Sequence, residues 1–114
     1  MASNLIAGID LLRHQAGMSQ LTQALSLYLE SATSSWPRCN PEAVINAFGQ
    51  ETGEALNDEI GELLKDLGEL QPNWQEHSLQ SATKWAEVEI LRQHPHLDRE
   101  ATANLGWAFS YWHK

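Results

Sequence analysis

The chain has 114 residues, with 15 acids against seven bases for a formal charge of −8, and 42% apolar side chains that include five tryptophans. That length fits one domain, 1–114, and the apolar content is enough for a core without disulfide or metal staples; the acidity repels phosphate backbones and so disfavours nucleic acid as a direct ligand. Cys39 is the only cysteine, which rules out an intramolecular disulfide and makes a reducing, cytoplasmic location the expectation.

Met1 to Ala16 carries Asp10, Arg13 and His14 inside its apolar pattern and therefore does not read as a signal peptide. No window approaches the eighteen or so apolar residues that a membrane span requires. Ser3 can cap a first helix through Leu5, Ile9 and Leu12 that ends near Gly17. Ser19 can cap a second, with Leu21, Leu25 and Tyr28 or Leu29 at helical spacing, before Ser-Ala-Thr-Ser-Ser dissolves the pattern and Trp36-Pro37 closes it. Asn40-Pro41-Glu42 then combines a cap, a first-position proline and an acid in the first turn. Ala43, Val44, Ala47 and Phe48 form the expected buried stripe of that helix, and a kink or break is expected at Gly49–Gly53.

From there to Leu70 the chain carries an acidic ladder, Glu51, Glu54, Asp58, Glu62, Asp66 and Glu69, at steps of three and four. At about 100° per residue these carboxylates share one face, while Leu56, Ile60, Leu63, Leu67 and Leu70 gather nearly opposite. Like charges at this spacing cost about 0.2–0.5 kcal/mol per pair, and Lys65 is the only cation in the segment. Two readings stay open: a solvated face that keeps an acidic protein soluble, or a face awaiting a cationic partner.

Gln71-Pro72-Asn73 marks a loop, and Ser78 can cap a helix with Leu79, Ala82, Trp85, Val88 or Ala86, and Leu91 on its inner side. His94-Pro95-His96-Leu97 is a turn. Asp98 caps a final helix lined by Ala101, Leu105, Phe109 and Trp112, whose apolar surface Trp107 and Tyr111 extend. No segment shows sustained period-two alternation, so the fold class is all-α, a single-domain irregular bundle of five or six short helices with the aromatic C-terminal helix central.

Catalytic chemistry has no signature in this chain. His14, His77 and His113 lie apart and His94 and His96 flank a proline, so no metal site is expected and none of the residues requires a cofactor. Cys39 has no histidine near it in sequence, although Arg38 beside it could make the thiol more reactive. The carboxylates lie on an open helix face, without the cleft and differing environments that acid–base work needs, and the protein is not expected to be an enzyme.

Leu12 to Gln20, with its Gly17-Met18-Ser19-Gln20, is similar to the opening of the phage-repressor helix-turn-helix family, but Tyr28-Leu29-Glu30 stands where the turn glycine and basic recognition helix would follow. A longer stretch resembles the small immunity proteins of bacterial contact-dependent growth inhibition systems. The residues that carry the likeness are Leu25, Tyr28, Trp36, Pro41, Glu42, Val44, Ile45, Phe48, Ile60, Leu63, Leu64 and Leu67. Ser34-Ser35 stands where that family often has an acid before the tryptophan, and Arg38-Cys39 replaces a polar or acidic turn.

The resemblance implies a cytoplasmic antidote that binds one cognate protein toxin, frequently a nuclease, and blocks it without catalysis. A basic toxin would meet the acidic helix, with Glu51, Glu54, Asp58, Glu62, Asp66 and Glu69 as contacts and exposed tryptophans as anchors. The alternative is a self-associating adaptor or structural bundle with Trp107, Tyr111 and Trp112 as its seam. A DNA-binding helix-turn-helix protein comes third.

Overall fold

The computed structural model describes residues 19–114, so the expected first helix, Ser3 to Gly17, and most of the Leu12–Gln20 match lie outside the described residues. Within them the fold is all-α: α1 (Gln20–Leu29), α2 (Pro41–Phe48), α3 (Gln50–Gly68), α4 (Leu79–Gln93) and α5 (Arg99–Trp112). α5 packs against α4, α1 and α3, and α3 also meets α1, α2 and α4, so these two helices frame the core.

Four of the helices start where a side chain captures an orphan N–H. Ser19 accepts from Thr22 N, Asn40 from Ala43 N, Ser78 from Ser81 N and Asp98 from Ala101 N. At Ser78 the capping is reciprocal, with Ser81 in the place more often held by Glu or Gln. α3 has no side-chain cap and is entered through Gly49 alone, whose φ of +90° suits glycine. The break expected over Gly49–Gly53 is therefore a single residue. Gly53 lies inside α3, where a Cβ would sit 2.7 Å from Ile45 Cα, so this glycine allows α2 and α3 to cross at backbone contact.

α1 ends at Glu30, a non-glycine residue in the left-handed region at φ 57°. The loop after it doubles back along the helix end, and Arg38 N and Asn40 N donate to Leu29 O and Tyr28 O at 3.0 and 2.8 Å. Eleven residues separate α1 from α2, where a helix-turn-helix uses a turn of about three or four.

The core is aliphatic and small-residue rich: Leu25, Leu29, Val44, Ile60, Leu63, Leu67, Ile90 and Leu105 with Phe109, and Ala24, Ala82, Ala86, Ala101 and Ala108 between them. None of the five tryptophans is fully buried; Trp85 and Trp107 lie against the core and Trp36, Trp74 and Trp112 are exposed. Three expected stripes shift accordingly. On α2 only Val44 is fully buried and Ala47 faces out. On α4 the seam is Ala82, Ala86 and Ile90, which leaves Val88 64% exposed and Leu91 exposed, because small residues let α4 approach α5 at a different rotation. On α5 Trp112 lies beyond the last core contact, Phe109.

Candidate protein-interaction face

The nineteen residues of α3 present one side to the core through Leu56, Ile60, Leu63 and Leu67, which fixes the rotation of the helix and turns the ladder outward. Glu51, Glu54, Asp58, Glu62 and Glu69 are exposed. Among the described residues none of these five takes part in an ion pair; Glu54 accepts a hydrogen bond from Gln50 one turn earlier. Lys65 is exposed, and with Asp58, Gly61 and Glu62 it borders an open depression of about 500 Å3.

Asp66 departs from the expected set. It is half-buried at the edge of the face, and its Oδ2 lies 2.8 Å from His94 Nε2, so it ties α3 to the α4–α5 turn. Glu59, outside the ladder, comes within 3.3 Å of His96 Nε2 on the exposed side of the same turn, and the two imidazoles lie edge to face with centroids 6.0 Å apart. His94 is thus a structural contact and not a plain surface-turn residue. Sequence reasoning missed both pairs, since residues 28 or more positions apart leave no local spacing signal.

α4, with two acids and two bases, shows helix charges matched internally. Arg92 donates to Glu89 at 3.0 Å, and that hydrogen bond, with the charge beside it, holds Glu89 below the usual carboxylate range; Lys84 lies 3.8 Å from Glu87. The bases on α4 sit three residues from acids. α3 has one base for its whole acidic row.

The remaining candidates stay apart from this face. Cys39 is exposed and its neighbour Arg38 turns to Glu30 at 3.8 Å. Burial, with the Cys39 thiol contributing less, pushes the Tyr28 phenol above its ordinary value. No group of three or more His, Cys, Asp or Glu among the described residues could hold a metal ion, and no described helix is long and apolar enough to cross a membrane. Trp74 stacks on His113 at 5.4 Å, which in turn stacks on Phe109 at 4.4 Å, leaving Trp74 and Trp112 exposed at one end of the bundle. No family model matches the chain, and no curated protein or solved structure matches it either.

Proposed function

We propose that the chain is a bacterial immunity protein that binds a cognate basic toxin, a nuclease, in the cytoplasm and neutralises it without catalysis. The observation that carries this reading is the row Glu51, Glu54, Asp58, Glu62 and Glu69, exposed on one face of α3 and outside every ion pair among the described residues, while the acids of α4 are matched. Carboxylates one helical turn apart resemble a file of phosphates, so a groove built to hold nucleic acid would accept them. Their summed field would speed capture and make it salt-sensitive. Asp66 contributes to that field from the edge, but its His94 contact leaves it less available for a partner.

The test is a pull-down at low salt from cells that carry the gene, followed by binding kinetics with Asp58→Lys/Glu62→Lys. The reading expects one stoichiometric basic partner released by high salt. It also expects an association rate that falls at least tenfold in the double variant and loses its salt dependence. Unchanged kinetics and salt dependence would remove the α3 face from the interface.

A second reading, a self-associating bundle with Trp107, Tyr111 and Trp112 as its seam, draws on Trp112, which is 47% exposed, while Trp107 and Tyr111 are half-buried. Sedimentation decides it: a concentration-independent monomer excludes the seam.

A further inference from the structure

We draw no further inference here: the strongest candidate, the apolar surface patch on the outward side of α4 where Val88 and Leu91 stand exposed, is an unpartnered helix face, and nothing among the described residues shows what covers it.

Discussion

Thr22 Oγ1 donates a 2.7 Å hydrogen bond to Asp98 Oδ2 while the other oxygen of the same carboxylate caps α5 through Ala101 N. Thr22 is itself fully buried in the first turn of α1. One carboxylate thus closes the start of α5 and pins it to the start of α1, with Ser19 Oγ completing the network at 3.0 Å from the Thr22 hydroxyl. Asp98→Ala should cost about 2–3 kcal/mol, a lost cap plus a buried hydroxyl deprived of its interhelical acceptor. Thr22→Val should cost less, and the double variant less than the sum, as urea unfolding of the four-member cycle would show.

The glycines of α3 should respond in opposite directions to the same change. Gly61→Ala has open space around it and should stabilise by up to about 1 kcal/mol through helix propensity. Gly53→Ala gains the same propensity but drives a methyl into the Ile45 backbone and should be clearly destabilising. Thermal midpoints of the two variants moving apart would verify the close crossing of α2 and α3.

Gly49 separates these helices at a φ that L side chains rarely adopt, with no neighbour crowding it. Gly49→Ala should therefore cost about 1–3 kcal/mol from backbone strain alone, since φ +90° with ψ 167° is a conformation essentially confined to glycine. Differential scanning calorimetry would detect it, and an unchanged midpoint would argue against the left-handed elbow.

Charge reversal separates the structural acid from the exposed ones. Asp66→Lys should destabilise the fold because it breaks the contact with His94 and places a cation beside the imidazole, whereas Asp58→Lys should leave stability within about 0.5 kcal/mol or raise it by relieving like-charge repulsion. Chemical denaturation of both variants at neutral pH compares them directly.

Alkaline unfolding should report on Tyr28. Its folded-state phenol is pushed up, so the unfolded chain releases that proton first. The stability tied to the neutral phenol is intact below about pH 10 and is lost as pH rises from there through the raised folded value. Tyr28→Phe should flatten this alkaline decline in a pH series of melting midpoints, and Cys39→Ser should change it less.

Helix starts were legible because they depend on residues within one turn: Ser19, Asn40, Ser78 and Asp98 each cap where their side chains can reach. The outward turn of the α3 ladder was legible for the same reason, since the opposed leucines fix its rotation. α4 was harder. Its apolar residues mark more than one possible stripe, and the choice of Ala82, Ala86 and Ile90 over Val88 and Leu91 depends on how closely α5 approaches. The tryptophans misled for a similar reason, because a core filled by leucine and alanine leaves room for the large rings only at its margin. The role of Asp66 was hidden by distance, since it depends on His94, 28 positions away.

The one-residue passage from α2 to α3 bears on the order in which the chain folds. Two helices joined by Gly49 and crossing at Gly53 and Ile45 can meet after closing a very short loop, whereas the start of α1 must find the start of α5 at a separation of 76 positions. Short closures form first and long ones late. Loop length thus favours closure of the α2–α3 elbow before the Thr22–Asp98 contact, in which case Thr22 and Asp98 variants should act mainly on the unfolding rate.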